Sequence, residues 1–380
     1  MRLSIIIAYH GEGKEFILKT IDSIETTIDV KYEIIVVDDF SDIPLQIDGV
    51  KVIRHIENKG VGACFDSGVK VAKGNFIFLM GCDVRFLPNE WASKMVSEII
   101  KHPRALICTS VVANHEHLPE ELINIFLGIL GRRGIELDID LTRKNLINNL
   151  SPEQLFFISR EIRLYRGASL LLFMDQNDRP DRPPTFKNIL EAQWLAMENK
   201  AMRFLSKPDG ARIGGNREEE FKKFMKDKYN VSVSELESYS IPCILGAAYG
   251  TTKKWYKHID GFWGHKKWGT LEPYISLKCL LFGGECRVAP QIETTHIFNP
   301  DGPSDRSVMH ISYNKLLVAW LLFPFSMARQ LIAWLPPSEQ LDKAKDLIDD
   351  NWLKIEKKRN EYRKKIKVPM DEIITKFKLH

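Results

Sequence analysis

A chain of 380 residues is longer than one ordinary domain of about 150 residues, and 44% hydrophobic with 27% charged residues is a folded globular composition. That composition excludes a disordered tail protein, a collagen-like fibre and a Cys-stapled miniprotein. Fifty-four basic against 50 acidic residues leave +4, too small a surplus to name a polyanionic partner.

The chain opens on a buried strand over Leu3–Ala8, followed by an amphipathic helix over Glu15–Thr26 and a second strand over Tyr32–Val37. A short third strand (Val50–His55), a helix (Val61–Ala72) and a fourth strand (Phe76–Met80) follow. The apolar run at the N-terminus is too short for a signal peptide. The six cysteines form no C-x-x-C pair, so a zinc ribbon is not expected, and reduced thiols in a cytoplasmic protein are. Strands alternating with helices predict an α/β, Rossmann-like, mostly parallel sheet that binds ligands at the strand C-terminal ends.

Four segments are expected. Residues 1–110 form the strand-and-helix half. Residues 111–241 are poor in strand signal and read as a mainly helical insertion. Residues 242–311 return to strand and glycine signals, and 312–380 form a helical, basic C-terminal region. From Asn351 to His380 ten Lys/Arg face four Asp/Glu, so this tail carries +6 and the remainder −2. A basic helix of this kind is a solvated face, or a binder of phosphate or anionic lipid. Just before it, Leu316–Leu335 is the most apolar stretch, interrupted by Pro324, Arg329 and Gln330. It reads as a buried helix followed by an amphipathic one, with peripheral membrane docking as the alternative and a membrane span excluded.

Four clusters carry chemistry. Strand one ends in Ala8-Tyr9-His10-Gly11-Glu12, where Tyr9 can stack on a base. Strand two ends in Asp38-Asp39-Phe40-Ser41-Asp42. Its carboxylates can meet a base or ribose, or can simply form a turn and cap. Asn58, Gly60, Gly62 and Asp66 precede the fourth strand, which runs into Cys82-Asp83-Val84-Arg85; Asp83 is a hard oxygen ligand for a divalent cation or a plain loop residue. The last cluster is Gly261 to Glu272, including Trp268, followed by His296. Glu272 at a helix start is a general base or a first-turn dipole residue, and His296 a metal ligand or a core histidine.

Taken in this order the motifs resemble family-2-type nucleotide-sugar glycosyltransferases of the GT-A fold. The V-V-D-D-x-S-x-D signature stands at Val36–Asp42, and the N-x-G…A-x-G run at Asn58–Gly74 with Asp66 replacing the second Asn. The second half resembles polypeptide N-acetylgalactosaminyltransferases and chondroitin polymerases, through Gly246–Tyr249, the G-x-W…W-G-x-x-E run and the late His296. The resemblance implies transfer from a UDP-sugar to a hydroxyl acceptor with inversion. Glu272 is then the base, and Ala8, Tyr9, His10, Glu12, Asp38, Asp39, Asn58, Gly62, Asp66, Cys82 and Trp268 line the donor site. Asp83 and His296 would hold Mn²⁺ or Mg²⁺. One departure is plain: the D-x-D positions are Met80 and Cys82, so Arg85 or Lys59 is an alternative phosphate partner.

A glycan is the expected acceptor, with the C-terminal region resting on the inner membrane face. The rival readings are a phage-type transferase acting on a hydroxylated base in DNA, and an inactive nucleotide-sugar-binding homologue. In the DNA reading Arg132-Arg133, Arg179–Arg182 and Lys354–Lys367 would track phosphates.

Overall fold

The computed structural model describes residues 2–86, 90–113, 238–241, 243–244, 246–296, 307–335 and 337–377. The expected helical insertion therefore lies outside the described residues except at its ends, as do Arg132-Arg133 and Arg179–Arg182.

Apolar, β-branched runs form the sheet where expected: β1 (Leu3–Tyr9), β2 (Tyr32–Asp38), β3 (Lys51–Arg54) and β4 (Phe76–Gly81). They are followed by β5 (Val84–Phe86), β6 (Ala105–Ala113), β7 (Tyr239–Ile241), β8 (Ala248–Thr252) and β9 (Glu285–His296). Spatial order is β3-β2-β1-β4-β8-β6-β9-β5, with β7 added to β9. β1 pairs in parallel with β2 and β4, and β2 with β3. β8 inserts antiparallel to both β4 and β6, and β6 pairs in parallel with β9. Six of the nine strands thus share one direction, which gives the mainly parallel sheet that the alternating elements predict.

Both faces of the sheet are covered. Leu3, Ile5, Ile7 and Tyr9 of β1 point into a core shared with α1 (Lys14–Glu25) and α3 (Trp91–Lys101). Ile6 and Ala8, alternating with them, face α2 (Val61–Val71), α4 (Lys253–His258) and α5 (Leu271–Leu281). The strands β3, β2, β1 and β4 all end at one edge, and the loops leaving that edge carry the first three clusters.

The C-terminal region is helical from Val308: α6 (Val308–Leu322), α7 (Phe325–Trp334), α8 (Glu339–Asp350), α9 (Trp352–Arg363) and α10 (Met370–Phe377). The predicted pair of helices in the apolar stretch is present, broken at Pro324, which cannot donate a backbone hydrogen bond. Among the described residues no helix is long and apolar enough to cross a membrane. Two cations of the basic tail depart from the expected phosphate track. Arg359 is buried, and its guanidinium donates to the carbonyls of Trp320 and Phe323 at the end of α6. Lys358 pairs with Asp260 at 3.1 Å and Glu361 at 2.8 Å. These two cations anchor α9 to the domain instead of facing a ligand.

The α3 face shows how tightly the sheet is held. Trp91 is fully buried, stacks on Phe86 at 3.8 Å between centroids, and donates from Nε1 to Thr27 Oγ1 at 3.0 Å. Trp91→Ala is expected to lower the unfolding free energy by about 3–5 kcal/mol, read as a lower urea midpoint at unchanged slope.

Candidate active site

At the end of β1, Tyr9 is buried and its hydroxyl accepts from the Gly13 N–H at 3.2 Å, closing the turn into α1. His10 follows. Its Nδ1–H donates to the Asp39 carbonyl at 2.8 Å, which leaves Nε2 to accept from the Asn58 amide at 3.0 Å. Glu12, exposed, accepts from the His10 N–H at 2.7 Å and reaches the Cys82 thiol. Ala8 contributes backbone between Val37 and Gly81. Tyr9, His10, Glu12, Asn58 and Cys82 therefore converge on one crevice.

The two aspartates of strand two serve the loops. Asp38 is fully buried and accepts from the Ser41 N–H at 2.9 Å, the Ser41 hydroxyl at 2.6 Å, the Leu45 N–H at 3.1 Å and Arg54 at 2.5 Å. Burial opposes its ionisation, but the hydrogen bonds from Ser41 and Leu45 outweigh it and hold the pKa low. Its expected contact with the nucleotide gives way to the turn-forming role, because all its acceptor capacity is spent. Asp39 is equally committed, accepting from His55 Nδ1 at 2.7 Å and from the N–H groups of Lys59 at 2.9 Å and Gly60 at 2.6 Å. Its carboxylate thus shapes the Asn58–Gly60 loop, while its carbonyl orients His10.

Asp39, His55 and Cys64 have side-chain ligand atoms within 4.8 Å of one another. They fit a hard divalent cation poorly. Both Asp39 oxygens already accept backbone N–H groups, His55 Nε2 is paired with Ser67 at 2.9 Å, and burial pushes the Cys64 thiol pKa up, so it stays protonated.

Asp66 and Gly62 also take positions other than the donor contacts expected of them. Asp66 accepts from the Tyr256 hydroxyl at 2.7 Å and the Phe262 N–H at 3.1 Å, tying α2 to the turn after α4. A Cβ on Gly62 would lie 2.8 Å from Phe262 Cβ, so that glycine permits helix-to-loop packing.

Across the crevice, the Lys267 N–H donates to the Lys59 carbonyl at 3.1 Å. The loop there carries positive φ at Lys267, Gly269 and Thr270, a strained path for Lys and Thr. Asn314, fully buried on α6, holds it. Its Oδ1 accepts from the Lys266 N–H at 3.0 Å, and its Nδ2 donates to the carbonyls of Lys266 at 2.7 Å, Gly269 at 3.0 Å and Trp268 at 3.3 Å. Trp268 is half-buried within this clamped loop.

The loop delivers α5, in which every residue is buried except Glu272, which is half-buried. Glu272 lies in the first turn, and its carboxylate rests against Gly246, where any Cβ would collide with it. Gly246 precedes Ala247, whose carbonyl accepts from the Gly81 N–H at 3.2 Å. Glu272 is thereby brought towards the end of β4 through Gly246 and Ala247. Burial raises its pKa, which strengthens it as a base.

Asp83 is half-buried in the turn between β4 and β5. The β5–β9 ladder pairs Val84 with His296, so the backbones of Asp83 and His296 meet at one ladder end. Arg85 is not a phosphate partner. Its guanidinium donates to the Phe16 carbonyl at 3.0 Å, the Cys82 carbonyl at 2.9 Å and the Thr20 hydroxyl, and it stacks on Phe16. Lys59 is more open, with only a 3.9 Å pairing to Glu57.

Residues 4–168 match the family model described as glycosyl transferase family 2. That segment is similar to glycosyl transferase family 2, and the sheet has the GT-A fold. The structure of GalNAc-T7 with UDP, GalNAc and Mn²⁺ superposes with a TM-score of 0.52 at 14% identity, over 91% of this chain and 54% of that one. This chain therefore spans about half the length of that relative. A second solved structure, S. aureus TarS 1–349, aligns at 12% identity and TM-score 0.40 over 92% of this chain and 72% of that one. No curated protein matches the sequence.

Sequence reasoning assigned no role to His55, Asn314 or His265. Asn314 had a signal, a lone amide in the middle of a largely apolar helix. His265 is buried, donates from Nε2 to the Gly269 carbonyl at 2.7 Å, and has no partner for Nδ1 among the described residues. Burial lowers its pKa to about 4. The unfolded chain binds this proton near pH 6.5 and the folded one only near 4, so stability falls as pH drops through that window, by up to about 3 kcal/mol. His265→Gln is expected to flatten that part of the profile in urea unfolding measured between pH 7 and 4.

Proposed function

We propose that this protein transfers a sugar from a UDP-sugar to a hydroxyl of a glycan acceptor, with inversion at the anomeric carbon. The observation that carries the reading is Glu272, the one residue of α5 that is not buried, poised beside Gly246 at the edge where β1 and β4 end. Strand C-terminal ends are where ligands bind in such sheets, and GalNAc-T7, which shares the fold, was solved with UDP, GalNAc and Mn²⁺.

In this reading Tyr9, His10 and Asn58 receive the uridine, with Asp39 setting the orientation of His10. Trp268, in the loop clamped by Asn314, faces the sugar from the acceptor side. Glu272 takes the proton from the acceptor hydroxyl as its oxygen attacks the anomeric carbon, and the nucleoside diphosphate departs with the bonding electrons. Asp83 and His296 would hold a divalent cation, which would supply positive charge for the diphosphate leaving group. Lys59 adds positive charge at the same rim. Six buried, unbridged cysteines suit a reducing compartment, which supports a cytoplasmic reading.

Two measurements test this. In a thermal-shift panel of UDP, GDP, CDP and TDP, UDP is expected to stabilise most, by an amount that grows with ligand concentration and is enlarged by Mn²⁺. Asp83→Asn should abolish the Mn²⁺ increment; a UDP shift indifferent to metal removes Asp83 and His296 as ligands. Glu272→Gln should lower turnover by about 10²-fold or more while leaving the UDP shift intact. Unchanged turnover would remove Glu272 as the base. UDP binding with neither transfer nor hydrolysis would mark a binding protein.

A further inference from the structure

A cleft of about 940 Å³ opens at the end of the sheet opposite the crevice. Asn75 and Phe76, at the start of β4, and Thr252, at the end of β8, line it, and Phe76 and Thr252 are paired partners. Six residues of β4 at about 3.3 Å each separate it from Asp83, or about 20 Å, too far to share a donor diphosphate.

Its charge has one sign. Arg104, Lys253, Lys254, Lys257, His258 and Lys367 line it, and none of the described lining residues is acidic. Arg104, Lys254, Lys257 and Lys367 make no ion pair among the described residues. Lys365, close by, donates to the His258 carbonyl at 2.9 Å. The crowding registers on the groups themselves: burial, then Lys365, Lys367 and Arg104, lower the pKa of His258, and burial, then Lys257, lower that of Lys253.

The cleft is also built. Trp255 forms a buried floor, with Nε1 donating to Cys279 Sγ at 3.3 Å and its ring stacked against His258 at 5.0 Å. Lys367 is positioned by its backbone N–H on the Leu281 carbonyl at 2.7 Å, and its stem packs at 3.2 Å from the place of a Gly283 Cβ. The cations reach it from three separate places in the chain: before β6, along α4 and after α9. A concave, single-sign cleft concentrates counter-charge, and its size and spread of cations suit a run of several phosphates, not one ion or a flat headgroup layer.

We propose that this cleft binds a linear, phosphate-bearing polymer, holding it on the face opposite the catalytic crevice. The inference stands apart from the assignment of the donor.

The test uses the full chain, a labelled 12-nucleotide single-stranded DNA and inorganic polyphosphate, read by fluorescence anisotropy and competition from 50 to 300 mM salt. With four unpaired cations engaged, log K is expected to fall with log salt at a slope of about −3. Lys254→Gln with Lys257→Gln should weaken binding by about tenfold or more at low salt and reduce the slope by about 1.4. Both side chains are exposed, so melting and the UDP thermal shift should stay unchanged, which separates failure here from failure of the donor reading. Polyphosphate displacing DNA supports a general phosphate-chain site, and DNA bound without such displacement supports a nucleic-acid backbone. Unchanged affinity and slope in the double variant, no binding of either polymer, or binding only to vesicles containing anionic lipid would overturn the proposal.

Discussion

The carboxylate of Asp66 joins the two halves of the crevice. It accepts from the Tyr256 hydroxyl and the Phe262 N–H, with Lys278 fully buried nearby and donating to the carbonyls of Asp260 and Gly261. Burial opposes both charges: on balance the Asp66 pKa is raised to about 6 and that of Lys278 lowered to about 7. Each opposes that effect on the other, and removal of one would leave an uncompensated buried charge. Gly261 is obligatory at this joint, since it lies at φ +38 and a Cβ would collide with Asp66. The helix bearing Lys278 also bears Glu272, so the position of the candidate base depends on this buried pair.

The same economy governs the loops that follow β1 and β2. Asp38 and Asp39 turn their side chains inward, and hydrogen bonds from main-chain N–H groups fold the loops at residues 41–45 and 58–60. What faces the crevice is then set indirectly, with His10 oriented by a main-chain carbonyl of Asp39 and by Asn58. Carboxylates that accept several donors are rigid, and rigidity in the supporting residues keeps a binding edge in place. Asn314 does for the loop at residues 266–270 what the aspartates do for theirs, replacing water as the partner of three carbonyls and one N–H where the backbone is strained.

Sheet order separates two kinds of electrostatics. β8 runs against β4, so its start stands with Glu272 at the crevice while its end opens on the basic cleft. One end of these paired strands gathers carboxylates and polar groups, and the other gathers unpaired cations. The C-terminal helices contribute to both: Asn314 of α6 clamps the crevice loop, while Lys367, after α9, lines the cleft.

Local pattern in the sequence determined the early elements almost to the residue. The strand predicted over Leu3–Ala8 is Leu3–Tyr9, the helix over Val61–Ala72 is Val61–Val71, and Pro324 breaks the apolar stretch where its missing N–H requires. Periodicity and turn chemistry act over a few residues, and those features need nothing more. Glu272 in a first helical turn was legible for the same reason. Tertiary structure alone decided the insertion of β8 between β4 and β6 and the strand character of Ala105–Ala113. It also decided the burial of Arg359 within a basic helix, and the bond from Tyr256 to Asp66 across 190 residues. A side chain's role depends on which distant donor or acceptor arrives beside it. Asp38, Asp39 and Asp66 therefore look alike as ligand-binding carboxylates in the chain, and become loop and seam supports once their hydrogen-bond partners are folded around them.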